Sequence, residues 1–181
     1  MEQRLELARW LAATLRYRTL PLAEWVFATD ASSSTGTASV RLFGYDCPLE
    51  VSRSVTHRLL CVEGERFVQE RFLLAGLLQK GDVVVDVGAN IGYMGLLFQK
   101  CIGPEGRLIG IEPDPDNFRE LKSCVAANGL ENVVLVEAAV GHEETLVTLE
   151  PGLNGHIRDG AGRTVPQMTL DSLDSQRVDF I

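Results

Sequence analysis

The chain has 181 residues, of which 45% are hydrophobic and 23% are charged. This composition excludes a disordered tail, a collagen-like repeat and a small disulfide-stapled domain. The formal charge is −8, from 17 basic and 25 acidic residues, and such a surface repels phosphate backbones and anionic lipid. We therefore expect neither nucleic acid nor a membrane as a direct partner.

The N-terminus and the cysteines bear on the cellular compartment. Residues 1–6 mix both charge signs and lack the apolar core of a signal peptide. The four cysteines are irregularly spaced, and none of the three histidines is grouped with them. Buried free thiols in a reducing compartment suit this pattern better than a zinc site or a disulfide framework. We predict a cytoplasmic protein without a metal site.

Residues 1–62 are predicted to form a small extension. Apolar spacing over residues 3–20 predicts a helix that ends before Pro21, and the serine-rich residues 31–36 indicate a linker. Short β-type runs at 39–43 and 51–55, separated by turn-prone residues, predict a β-hairpin or meander.

Residues 63–181 are predicted to form a Rossmann-like domain of the α/β class. A helix with a broad apolar face is expected over residues 67–79. After it, strands and helices alternate, because right-handed crossovers between parallel strands produce this order. The strands are predicted at 83–87, 107–112 and 133–136, and the intervening helices begin at Ile91 and at Asp114–Pro115.

The pattern changes after the third strand of this domain. Residues 145–149 alternate as a strand where another helix is expected, a polar loop follows, and residues 164–170 are extended. Residues 178–181 begin a further apolar strand at the end of the chain. Because a parallel sheet does not normally stop there, we expect this sequence to be the front portion of a longer domain.

The strongest chemical motif is Asp-Val-Gly-Ala-Asn-Ile-Gly at residues 86–92, at a strand-to-helix junction. Gly88 and Gly92 allow a sharp turn and the close approach of a ligand to the main chain. The N-terminus of the following helix favours a carboxylate or a phosphate. Glu112 ends the next strand, where an acid can accept both hydroxyls of a ribose.

These features suit any cofactor that contains a nucleoside. A nicotinamide-binding oxidoreductase is one alternative, but its Gly-x-Gly-x-x-Gly turn is absent, and Asp86 would repel a pyrophosphate. S-adenosylmethionine carries an ammonium, a carboxylate, a sulfonium and a ribose, and no phosphate. Asp86 near the ammonium and Glu112 on the ribose therefore favour S-adenosylmethionine.

Four segments resemble the FkbM-type branch of class I methyltransferases. They are residues 86–92, Ile-Glu-Pro at 111–113, Ala-Ala-Val-Gly at 138–141, and Leu-Asp-x-Leu at 170–173 before Val-Asp-Phe-Ile. The resemblance begins near Gly64 and implies S-adenosylmethionine-dependent methyl transfer, usually to a hydroxyl oxygen of a small molecule or sugar. Members of that branch continue into a Lys-Ile-Asp-Val-Glu-Gly-like segment, which is absent here. A truncated fragment that binds cofactor without turnover is therefore a further alternative.

The candidate cofactor contacts each have a structural alternative. Gly88 and Gly92 would serve any tight turn, and Asn90 could cap the following helix. Asp86 could cap the turn after its strand, and Glu112 could be a solvent-exposed strand end. His156, in the polar loop, is a candidate general base or a plain surface histidine. The complete set of candidate cofactor contacts is Asp86, Gly88, Ala89, Asn90, Gly92, Glu112, Pro113, Ala138 and Ala139.

Overall fold

The computed structural model describes residues 2–15, 36–51, 53–65, 68–150, 162–175 and 177–181. The chain divides into two compact units, Met1–Val68 and Gln69–Ile181. The domain boundary predicted at residue 62 stays a prediction.

The described residues of the first unit form two helices and a hairpin. Its elements are α1 (Glu2–Leu15), β1 (Thr37–Leu42), β2 (Tyr45–Glu50) and α2 (Val55–Glu63). β1 and β2 pair in antiparallel fashion with Leu42 opposite Tyr45. Phe43 and Gly44 form the two-residue turn, and their φ angles of 55° and 98° are of the sign that a tight hairpin turn requires.

The prediction for this unit is partly wrong. The second strand lies at Tyr45–Glu50 instead of 51–55, and it contains Pro48, which a strand tolerates in a two-stranded sheet because both strands are edges. Residues 55–63 are helical because the Ser54 Oγ caps the helix by accepting the His57 N–H at 3.1 Å. The predicted first helix is confirmed over Glu2–Leu15, while residues 16–35 lie outside the described residues.

The second unit has the predicted parallel sheet. Strands β3 (Val83–Val87), β4 (Arg107–Ile111) and β5 (Val133–Val136) lie in that order. Helix α4 (Tyr93–Ile102) connects the first pair of strands and α5 (Pro115–Ala127) connects the second. Phe180 forms a parallel bridge with Val84 on the other edge of β3, where the Val85 N–H donates to the Phe180 carbonyl at 2.9 Å. β3 therefore lies inside the sheet.

Apolar residues cover both faces of this sheet. One face carries Val85, Ile109 and Ile111, and the other packs against Phe118 and Leu121 of α5. Side chains alternate between the two faces along each strand, so the same short apolar runs supply residues to both faces. The α/β fold predicted from these runs is confirmed.

Helix α3 (Val68–Leu77) buries less than its composition predicts. Leu74 and the following Leu78 are buried, whereas Phe72, Leu73 and Leu77 are 78%, 63% and 55% exposed. The broad apolar face predicted for this helix is therefore wrong. Among the described leucines of this segment, Leu74 and Leu78 lie toward the core, four residues apart.

A second sheet follows β5. Its strands β6 (Ala139–Val140), β7 (Thr145–Leu149) and β8 (Arg163–Met168) lie in the order β6-β8-β7. β7 and β8 are antiparallel, so the predicted strand pair in place of a helix is confirmed. A short 3-10 turn at Leu170–Ser172 follows.

Neither a membrane-spanning helix nor a metal cluster is present in the part of the chain that the structure describes. No helix there has the length and apolar character to cross a membrane. No group of three or more His, Cys, Asp or Glu side chains there is placed to hold a metal ion. Cys47, Cys61, Cys101 and Cys124 are free thiols.

Candidate cofactor-binding site

The turn between β3 and α4 uses its two glycines differently. Gly88 and Gly92 both have positive φ, 80° and 91°. A Cβ on Gly92 would lie 2.8 Å from Leu121 Cδ1, whereas a Cβ on Gly88 would meet nothing within 4 Å. Gly92 is therefore required by packing as well as by conformation. Gly88 is exposed, with open space beside its Cα.

Asn90 belongs to the turn that precedes helix α4. Its φ is 51°, a conformation that asparagine tolerates better than most residues. Its Oδ1 accepts the Ile91 N–H at 2.9 Å. Helix α4 begins at Tyr93 with Gly92 as its N-cap. The predicted helix start at Ile91 is therefore wrong, and Gly92 holds the N-cap position that the alternative gave to Asn90.

Glu112 is buried at the end of β4, with 4% of its surface exposed. Its Oε2 accepts the Asn90 N–H at 2.8 Å, and its Oε1 accepts the Asp114 N–H at 2.9 Å and the Asn117 Nδ2 at 3.2 Å. Burial excludes the alternative of a solvent-exposed strand end. A carboxylate offers about four acceptor positions, so Oε2 keeps one position beyond its bond to Asn90.

The start of α5 is built around Glu112. The Asp114 Oδ1 caps the helix by accepting the N–H groups of Asp116 and Asn117, both at 2.9 Å, and Pro115 occupies the first helical position. In a capping box the third helical side chain accepts the N-cap N–H. Here Glu112 accepts it from outside the helix. Asn117 was not identified from the sequence. The available signal was its position three residues after the N-cap, where capping-box side chains occur.

Asp86 lies in β3 opposite Gly110 of β4. Its Oδ2 is buried and has no hydrogen-bond partner among the described residues. Burial raises the pKa of Asp86 from 3.8 to about 6, and the nearby Glu112 carboxylate adds to this rise. Asp86 Oδ2 therefore does not cap the following turn, because it accepts no N–H from the described residues.

A small cavity of about 10 Å³ lies beside Asp86. Its other lining residues are glycines and hydrophobic residues from the sheet, α4 and α5, including Leu96, Leu121 and Leu135. A cavity of this size holds about one water molecule, so it does not accommodate the amino-acid end of S-adenosylmethionine. The expected contact between Asp86 and an ammonium stays a prediction.

The remaining candidates are dispersed. Pro113 is half-buried between Glu112 and the α5 cap. Ala138 packs against Val85, Ile109 and Ile111, and Ala139 packs against Leu149 and Val165. The two alanine side chains thus belong to apolar cores, which leaves their backbones for any ligand contact. His156 lies outside the described residues.

Comparison with known protein families bears on this arrangement. A family model described as the TRM5/TYW2 methyltransferase domain matches residues 62–148, a range that includes β3, the glycine turn, Glu112 and β5. Over this range the chain is similar to class I S-adenosylmethionine-dependent methyltransferase domains. The matching family model does not specify the FkbM branch, which stays a prediction.

The curated relatives of this chain are methyltransferases whose names give different acceptors. Arsenite methyltransferase of Halobacterium salinarum is 32% identical over 62 residues, covering 34% of this chain and 16% of that protein. Protein-L-isoaspartate O-methyltransferase of Methanococcus maripaludis is 31% identical over 98 residues, covering 54% and 44%. The 23S rRNA (uracil(1939)-C(5))-methyltransferase RlmD of Acinetobacter baylyi is 34% identical over 56 residues, covering 31% and 12%. The chain spans less than half the length of each of these relatives.

Proposed function

We propose that this protein is an S-adenosylmethionine-dependent methyltransferase that methylates a hydroxyl oxygen of a small molecule or sugar. The observation that carries the proposal is the Glu112 carboxylate, buried and held by three donors beside the glycine turn of a parallel sheet. Membership of the FkbM branch and a cytoplasmic location are parts of this proposal. The four free thiols support the location, because thiols persist in reducing compartments.

Cofactor binding is assigned to the turn at residues 86–92 and to Glu112. The remaining acceptor position on Glu112 Oε2 takes a ribose hydroxyl, and the three donors hold the carboxylate in place before the ligand arrives. The open space beside Gly88 admits a ligand to the main chain. Helix α4 begins beside this turn, with Gly92 as its N-cap, and a helix N-terminus favours the ligand's carboxylate.

Asp86 is assigned to the ammonium end of the cofactor. An ammonium nearby stabilises the charged carboxylate and lowers its pKa, which would offset the burial that raises the pKa of Asp86. The backbones of Ala89, Asn90, Pro113, Ala138 and Ala139 are assigned as further contacts. The cofactor, when bound, supplies a methyl group activated on a sulfonium. The protein aligns the acceptor oxygen with it and excludes water, and His156 stays the candidate base.

An RNA acceptor is the second candidate function. It is favoured by the similarity to the RlmD enzyme, whose name specifies 23S rRNA. The formal charge of −8 opposes it, because affinity for RNA depends on lysine and arginine contacts to phosphates. We therefore place a small-molecule or sugar hydroxyl first.

Transfer of a radiolabelled methyl group from S-adenosylmethionine tests the proposal. The full chain is incubated with labelled cofactor and either a pool of sugars and small alcohols or total RNA. Label in the alcohol pool supports the first candidate and label in RNA supports the second. Binding of S-adenosylmethionine without transfer to either pool would favour the fragment without turnover.

A further inference from the structure

Asn117 lies in the first turn of α5, beside Glu112. The residue is 2% exposed, and its Nδ2 donates to Glu112 Oε1 at 3.2 Å. Its Oδ1 is buried and has no hydrogen-bond partner among the described residues. The proposed function does not use this side chain.

The orientation of the Asn117 amide follows from its neighbour. An ionised carboxylate only accepts hydrogen bonds, so a flipped amide would place Oδ1 against Glu112 Oε1. The backbone is also held, because the Asn117 N–H donates to the Asp114 Oδ1 at 2.9 Å. The Nδ2 group is therefore presented to Glu112 from a capped helix terminus.

The unpartnered oxygen distinguishes Asn117 from a packing residue. A buried acceptor without a partner destabilises the folded state, and an apolar side chain of similar volume avoids that cost. Phe118 and Leu121 already supply the buried apolar contacts of α5. What Asn117 adds is a donor to the carboxylate.

The three donors divide unequally between the two oxygens of Glu112. Asp114 N–H and Asn117 Nδ2 both donate to Oε1, while Asn90 N–H alone donates to Oε2. Two donors fill the two lone pairs of Oε1. The oxygen with an acceptor position left for a ligand is therefore Oε2.

We propose that Asn117 is a positioning residue that orients the Glu112 carboxylate and thereby sets the preference for ribose over deoxyribose in the cofactor. This inference rests on the proposed function, in which Glu112 accepts a ribose hydroxyl. Without the Asn117 donor, Oε1 loses one of its two bonds and the carboxylate can rotate away from the orientation that leaves Oε2 available.

Calorimetric titration with two ligands tests this role. The probes are S-adenosylhomocysteine and its 2′-deoxyribose analogue, and the proteins are the wild type, Asn117→Leu and Asn117→Ala. The control is Asn128→Ala at the C-cap of the same helix, where Asn128 Nδ2 donates to the Cys124 carbonyl at 2.7 Å. We expect either Asn117 variant to reduce the ribose-to-deoxyribose affinity ratio by about tenfold, since a hydrogen bond to a charged group is lost. The control is expected to keep the wild-type ratio.

The outcomes separate this inference from the proposed function. If the wild type prefers the ribose ligand and the Asn117 variants weaken both ligands equally, Asn117 is only structural and the inference is wrong. If the wild type binds both ligands with equal affinity, Glu112 does not distinguish ribose from deoxyribose and the inference is wrong. If it binds neither ligand, the proposed function fails as well. Asn117→Ala gives the comparison if Asn117→Leu does not fold.

Discussion

The Glu112 carboxylate accepts a hydrogen bond from the Asn90 backbone N–H at 2.8 Å. This bond joins the end of β4 to the turn that follows β3, across the carboxyl edge of the sheet. Ligands of open α/β sheets bind at this edge. The same carboxylate also accepts the Asp114 N–H, so one side chain fixes both the glycine turn and the start of α5.

The substitution Glu112→Gln tests whether this carboxylate binds the ligand. Both oxygens of the Glu112 carboxylate accept hydrogen bonds from N–H groups. A glutamine amide has only one acceptor oxygen, so its NH2 group would face at least one of these N–H donors. We expect a loss of stability of about 1–3 kcal/mol and a fall in S-adenosylhomocysteine affinity of at least about tenfold. Thermal unfolding and calorimetry measure the two effects.

Glu131→Gln is the control for this substitution, because Glu131 is exposed in the turn before β5. It is expected to change neither quantity. If Glu112→Gln lowers stability but leaves ligand affinity unchanged, Glu112 only stabilises the start of α5 and does not bind the ligand.

The substitution Asp86→Asn is expected to stabilise the protein at high pH. The pKa of Asp86 is raised from 3.8 to about 6 in the folded chain, so the folded state binds this proton more tightly than the unfolded state. Asp86 therefore opposes folding above pH 6, on the order of 3 kcal/mol, and the opposition is relieved as the pH falls from 6 to 4. The stability difference between the variant and the wild type, measured by denaturant unfolding, should grow from pH 4 to pH 7.

Asp171→Asn, at an exposed position, is the control for that pH series and should show no such difference. A variant that is equally destabilised at pH 4 and pH 8 would show that the Asp86 carboxylate is not an uncompensated buried charge.

Ligand affinity should depend on the same proton. An ammonium attracts the ionised Asp86 carboxylate and not the neutral acid. S-adenosylhomocysteine affinity in the wild type should therefore weaken as the pH falls through about 6, the raised pKa of Asp86 in the free protein. Asp86→Asn should bind more weakly at pH 8 and lack this pH dependence. An identical pH profile in both proteins would remove Asp86 from the ammonium site.

The two glycines of the turn should respond differently to alanine. Gly92→Ala combines a φ of 91° with a 2.8 Å approach to Leu121 and should lower stability by about 2–4 kcal/mol. Gly88→Ala has only the strain of its φ and should lower stability by about 1–2 kcal/mol. Its added Cβ lies where the ligand approaches, so S-adenosylhomocysteine affinity should fall by about tenfold or more.

Gly129→Ala is matched to Gly88→Ala, because Gly129 also has a positive φ, 57°, and open space around a Cβ. Chemical denaturation and calorimetry on both variants separate strain from ligand contact. If Gly129→Ala weakens ligand binding as much as Gly88→Ala does, the effect is a loss of stability and not of a contact.

Much of the second unit could be predicted from local sequence. Apolar runs of strand length alternate with helical spacing, and Asp114–Pro115 is a helix-start signal that the structure confirms. Helix α2 was missed because its β-branched first residues favoured a strand, while the decisive Ser54 cap is a single side chain. The exposed face of α3 was also missed, since composition does not say which apolar side of a helix meets a neighbour.

The candidate site could be predicted only at the level of residue types. Asp86, Glu112 and the two glycines follow from strand ends and turn chemistry. Their partners do not, because the bonds from Asn90 and Asn117 to Glu112 join segments that only the folded sheet and cap bring together. The burial of Asp86 Oδ2 likewise depends on α4 and α5 closing over β3.

Calorimetric titration of the full chain with S-adenosylhomocysteine and, separately, with NAD tests the central claim most directly. The proposed contacts of Glu112 with the ribose and of Asp86 with the ammonium predict saturable binding of S-adenosylhomocysteine and much weaker binding of NAD, whose pyrophosphate is repelled by Asp86. Tighter binding of NAD, or no binding of S-adenosylhomocysteine by the folded chain, would contradict the account.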